Sequence, residues 1–178
     1  MATTASLDRT DEAIRQLLDK EAIRELVLLY SRAIDRQDFE LLRDLYTADG
    51  TDTHGDSFDG SADEFCKSLA EVLPSIEYTG HHMCNHLISV EGDEGYGEVY
   101  ALAYHYRAGD NTEDVMAVRY LDRYRREGDG KWRFASRVVT FDFQTVRPFQ
   151  GGGLLGSVKP DPSYEVCANP LFQRGARR

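Results

Sequence analysis

The sequence predicts an α+β fold: helices first, then a run of antiparallel strands, with the helices gathered against one face of the sheet. Three observations carry this prediction. Apolar residues recur at spacings of three and four through the N-terminal part of the chain. After Pro74 the pattern changes, and residues 78–90 contain no charged side chain if His is neutral. Gly- and Asp-rich turns then separate segments rich in aromatic and β-branched residues.

The elements follow in order. From Asp11 to about Tyr46 the pattern is helical. Ile14, Leu17 and Leu18 begin an apolar stripe that Ile23, Val27, Tyr30 and Ile34 continue, while Arg15, Asp19, Glu21, Arg24, Glu25 and Arg32 fill the other face. Gln37 and Asp38 divide this stretch, because Asp38 can cap a second helix carrying Phe39, Leu42, Leu45 and Tyr46. DGTDTHGDSFDG is rich in turn residues with a short alternating piece. A third helix starts near Ser61, places Phe65, Leu69 and Val72 on one face, and stops before Pro74. Strands are predicted at 78–90, Gly97–Arg107, Val115–Arg125 and Lys131–Val146, the last two joined by the hairpin turn Glu127-Gly128-Asp129-Gly130. Residues 1–146 make a single domain. Residues 147–178, with Gly151–Gly153, Pro160 and Pro162, read as an irregular tail. Its apolar Leu154, Leu155, Tyr164, Leu171 and Phe172 need something to cover, either as a lid or as an arm on a neighbouring subunit.

Composition narrows the function classes. The chain has 178 residues, with 21 Lys and Arg against 31 Asp and Glu, a net charge of −10. That balance leaves no electrostatic footprint for nucleic acid or an anionic membrane. No apolar run approaches a membrane span, and MATTASLDRT lacks the apolar stretch of a signal peptide. Cys66, Cys84 and Cys167 are odd in number and form no CxxC, which reads as reduced thiols in a cytoplasmic protein. No GxSxG, P-loop, GxGxxG or HExxH occurs.

Several side chains are candidates for chemistry. Tyr30 falls within the apolar stripe of the first helix, and Asp35 lies at its edge where the helix ends. A carboxylate there can look into a cavity or simply cap a turn. In THHMCNH, strict alternation puts His81, Met83 and Asn85 on one face and His82, Cys84 and His86 on the other. The second set suggests a metal site, but a straight row of ligands spans ~13 Å between the outer Cα atoms and cannot easily surround one ion. An imidazole here suits general-base work instead, or lies on a polar surface strand. His105, between Tyr104 and Tyr106, reads as either packed aromatic or site residue. His54 sits in the turn-rich piece, and Arg137 is a cation embedded in a strand.

AIRELVLLYSRAIDRQDFELLRDLYTADG, TGHHMCNHLISVEGD and VRYLDRYRREGDGKWRFASRVV, in this order and spacing, resemble SnoaL-like proteins of the nuclear-transport-factor-2-like superfamily. The resemblance spans about residues 12–146 and is nearest to the lyase branch of scytalone dehydratase, bile acid 7α-dehydratase and hexachlorocyclohexane dehydrochlorinase. It implies a conical, curved, mostly antiparallel sheet wrapped around the N-terminal helices and enclosing a deep pocket. It also implies a dyad of Asp35 with His81, or with His82 if the register slips by one. Tyr30 is implied as a pocket tyrosine, and Asn85, His105 and Arg137 as further pocket residues, with His54 a candidate substrate contact beside them. The implied activity is elimination from a hydrophobic aromatic or polycyclic small molecule, without metal or cofactor, in a homo-oligomer, most simply a trimer. Two other activities exist within the resemblance: the structural small subunit of a ring-hydroxylating dioxygenase, and a polyketide cyclase or isomerase.

Overall fold

The computed structural model describes residues 4–151 and 161–177. Its elements are α1 (Thr4–Asp35), α2 (Phe39–Asp44), β1 (Tyr46–His54), β2 (Phe58–Ser61), α3 (Ala62–Val72), β3 (Tyr78–Glu91), β4 (Glu94–Arg107), β5 (Thr112–Arg126), β6 (Trp132–Pro148) and α4 (Ser163–Val166), with 3-10 turns at Leu73–Ser75 and Pro170–Phe172. The fold is α+β, as the sequence predicts. A curved, unclosed six-stranded sheet in the order β2-β1-β6-β5-β4-β3 wraps the helices. Its pairings are antiparallel except between β1 and β6, which run parallel.

Local chemistry accounts for the helix ends. Gln37 takes a left-handed φ of 51°, which turns the chain out of α1. The Asp38 carboxylate then accepts from the Leu41 N–H at 3.2 Å and starts α2. Ser61 and Glu64 form a reciprocal capping box at the start of α3. Two expectations change here. The turn-rich stretch forms β1 and β2, and Tyr46 opens β1 rather than closing a helix. Among the described side chains of α1, burial begins at Asp19, whose carboxylate accepts from Arg126 at 2.5 Å and from the Trp132 indole at 3.1 Å. Ile14, Leu17 and Leu18 stand exposed, while Ile23, Leu26, Val27, Tyr30, Ala33 and Ile34 form the buried stripe.

β-bulges bend the sheet, and one of them corrects the face assignment on β3. Met83 pairs with Ala101 but His86 pairs with Val99, so Cys84 and Asn85 together oppose one residue of β4. The extra residue flips the alternation. His81, Met83 and His86 turn toward the interior, whereas His82, Cys84 and Asn85 are exposed. The predicted row His82-Cys84-His86 therefore does not exist on one face. Among the described residues, no group of three or more His, Cys, Asp or Glu side chains could hold a metal ion.

β6 continues through Pro148, past the expected domain end. The described tail lies along the helices: Asp161 pairs with Arg36 at 3.1 Å, Arg32 donates to the Phe172 carbonyl at 2.6 Å, and Arg177 pairs with Asp44 at 3.0 Å. Gly152, Gly153, Leu154, Leu155 and Pro160 lie outside the described residues. No helix among the described residues is long and apolar enough to cross a membrane.

Candidate active site

A cavity of about 430 Å³ opens on the concave side of the sheet. Its walls come from five strands and one turn: His54 at the end of β1, Asp56 and Ser57 in the β1–β2 turn, His81 on β3, Ala103, His105 and Arg107 on β4, Asp114, Met116, Val118 and Tyr120 on β5, and Val139, Phe141 and Gln144 on β6. The inward alternation of β5 explains its share of the wall, since every second residue from Asp114 to Tyr120 faces in.

Asp35 is the last residue of α1, and the turn at Gln37 leaves its carboxylate facing β3. The contact with His81 is two-point. One oxygen lies 2.7 Å from His81 Nδ1, and the other accepts the His81 backbone N–H at 3.1 Å. Thr79 Oγ1 adds a longer contact of 3.4 Å to the same carboxylate. A carboxylate so placed holds the proton on Nδ1 and leaves Nε2 as the free acceptor. No hydrogen bond among the described residues engages Nε2. Placing an anion at the C-terminal end of a helix opposes the helix dipole, so this position of Asp35 is not one that stability selects.

His105 lies beside this pair, its ring centroid 5.7 Å from that of His81. Burial, with His81 adding to it, pushes the His105 imidazole down to about 4, so the ring is neutral near pH 7. Its Nε2 is buried without a partner among the described residues. Asp114, 3% exposed, receives two hydrogen bonds from the Gln144 amide at 3.1 and 2.9 Å.

Other predicted site residues lie elsewhere. His82 and Asn85 are on the outer side of β3, His82 by simple alternation with His81 and Asn85 because the bulge turns it out. Arg137 is fully buried and forms two 2.8 Å hydrogen bonds with Asp122, and its guanidinium sits 4.0–4.3 Å from the ring centroids of Tyr30, Phe134 and Tyr120. Tyr30 is part of this cage rather than of the cavity wall, and burial raises its phenol well above the ordinary value. Tyr124 donates to Asp122 at 2.8 Å, and its oxygen lies 3.2 Å from His86 Nε2. Gly97 permits that approach, because a Cβ there would lie 2.6 Å from the Tyr124 hydroxyl.

Sequence reasoning missed Asp114, Gln144 and Asp52. The signal for Asp114 was present: an acidic residue at an inward position of an alternating strand has to find a partner. Asp52 is likewise fully buried on β1 and accepts from the Tyr46 hydroxyl at 2.6 Å.

Comparison with known proteins agrees with this architecture. An uncharacterised protein of Mycobacterium tuberculosis is 29% identical over 145 residues, covering 80% of this chain and 98% of the relative. Among solved structures, the hexachlorocyclohexane dehydrochlorinase of Novosphingobium barchaimii superposes with a TM-score of 0.70 at 20% identity, covering 80% of this chain and 98% of that one. A protein of Novosphingobium aromaticivorans, provisionally named a scytalone dehydratase, superposes with a TM-score of 0.68 at 23% identity, covering 80% and 97%. At these identities the structural likeness establishes the fold. Residues 15–138 match the SnoaL-like domain, which is most of the folded chain, and the protein belongs to the SnoaL-like family.

Proposed function

We propose that the chain is a cofactor-independent lyase, removing water or another small leaving group from a hydrophobic aromatic or polycyclic molecule. The observation that carries this reading is the two-point hold of Asp35 on His81, with the imidazole on the cavity wall. His81 Nε2 takes a proton from a carbon next to a carbonyl. The C–H electron pair becomes the new carbon–carbon double bond, and the leaving group departs with its own bonding pair. The unpartnered Nε2 of neutral His105 offers a hydrogen bond to substrate, while Met116, Val118, Tyr120, Val139 and Phe141 provide an apolar bed. The likeness to a dehydrochlorinase supports elimination over other acid–base reactions.

The test is a double-mutant cycle scored on a panel of β-hydroxy ketones with aromatic and steroid skeletons. Asp35→Asn and His81→Gln should each lower kcat/KM by at least about a hundredfold, and the double variant should be little worse than either. Additive losses would reject the pair as one unit.

The same reading includes a homo-oligomer, with a trimer favoured. Its support is the outer sheet face, where the cross-strand rows Leu102-Ala117-Phe143 and Leu121-Val138 leave four large apolar side chains exposed.

A further inference from the structure

The cavity holds a second carboxylate–imidazole pair that the elimination step above does not use. His54 Nδ1 lies 2.5 Å from an oxygen of Asp52, two residues earlier on the same face of β1. The other Asp52 oxygen accepts from Tyr46, and the His54 ring stacks on Phe65 of α3 with centroids 4.8 Å apart. Position, carboxylate contact and ring plane are therefore all fixed. The two pairs differ in seal. The Asp52 side chain is 0% exposed and that of Asp35 is 19% exposed, so at the second pair only the imidazole can exchange a proton with the cavity. No hydrogen bond among the described residues occupies His54 Nε2.

Placement gives this pair its role. His54 is on β1 and His81 on β3, and in the sheet order β6, β5 and β4 lie between them. Both rings line one cavity, so they approach its contents from opposite walls. Elimination of hydroxide as water needs two proton transfers, one from a carbon and one to the oxygen departing from the adjacent carbon. One imidazole can do both only by carrying the same proton across to the oxygen, whereas two imidazoles on opposite walls divide the transfers.

We infer that His54, held by Asp52, is the general acid of this site, protonating the leaving group while His81 removes the carbon-bound proton; this rests on the lyase reading. His81 Nε2 takes the proton, the C–H pair forms the double bond, and the C–O bond breaks with its pair on oxygen. The protonated ring of His54 gives its Nε2 proton to that oxygen, releasing water. His81 ends protonated and His54 neutral, and exchange with solvent restores both. The acid is needed for leaving groups that are strongly basic. It is dispensable for those that leave as stable anions.

The experiment compares 4-hydroxy-4-phenylbutan-2-one, which must lose hydroxide, with 4-(4-nitrophenoxy)-4-phenylbutan-2-one, which loses nitrophenolate. His54→Gln should lower kcat/KM for the hydroxy ketone by about a hundredfold or more and leave the nitrophenoxy ketone within about threefold. Asp52→Asn, a near-isosteric change, should show the same selectivity. Equal losses on both substrates, or no loss on either, would overturn the assignment. His81→Gln should slow both substrates. If it slows neither, the lyase reading falls, whatever His54 does.

Discussion

Asp122–Arg137 and Asp35–His81 each join a carboxylate to a nitrogen base inside the same curved sheet, yet they have opposite fates. Both side chains of the first pair are 0% exposed, and three aromatic rings close over the guanidinium. In the second pair the imidazole keeps 10% exposure and the carboxylate 19%, on the wall of a cavity. The first pair is sealed, so it can only hold the structure together. The second keeps one nitrogen free, so it can move a proton. Residue type and access act together here: a guanidinium keeps its proton, an imidazole can exchange one, and only the imidazole faces a cavity.

The largest expected effect breaks the sealed pair. Arg137→Met leaves Asp122 as an uncompensated buried charge and should cost about 3–5 kcal/mol of stability, read from urea unfolding. Replacing both partners with apolar residues should recover much of that loss. A loss under about 1 kcal/mol for Arg137→Met would mean that water reaches Asp122 and that the pair is not sealed.

Asp35→Asn should do the reverse. Removing a negative charge from the end of α1 relieves its clash with the helix dipole, so stability should change by no more than about 1 kcal/mol while turnover collapses. A thermal shift as large as that of Arg137→Met would erase the contrast between the two pairs.

Acid stability sharpens the comparison further. Burial holds His86 and His105 at about 4, below the ordinary imidazole value of 6.5. Between those limits the unfolded chain binds protons that the folded chain refuses. Stability is therefore full above pH 6.5 and falls as pH drops toward about 4. His105→Gln should flatten that fall when urea midpoints at about pH 7.5 and pH 4.5 are compared. An unchanged slope would assign the acid sensitivity to other groups.

The smallest effect is expected at Tyr30. As part of the Arg137 cage, Tyr30→Phe keeps the ring and should leave kcat/KM within about threefold. A hundredfold loss would put its hydroxyl in contact with substrate, and the boundary between the sealed and open regions would move.

Much of this was legible along the chain. The helix-to-strand order followed from periodicity, the break at Gln37-Asp38 from capping chemistry, and the strand boundaries from Gly- and Asp-rich turns, all of them effects confined to a few neighbouring residues. The pairing of Asp35 with His81 came from resemblance, because no local rule joins a helix end to a strand so far along the chain. Asn85 and His86 were assigned to the wrong faces because a bulge inserts one residue, and whether a strand bulges depends on the strand opposite. By itself the sequence determined the order of helices before strands and a net charge of −10, while the Gly- and Asp-rich stretch that forms β1 and β2 read as turns because those residues carry turn chemistry. Only the tertiary structure decided that Arg137 and Tyr30 are sealed while His54, His81 and His105 share a cavity. Burial and proton access are properties of how the sheet curves around its helices, and a linear pattern does not contain that curvature.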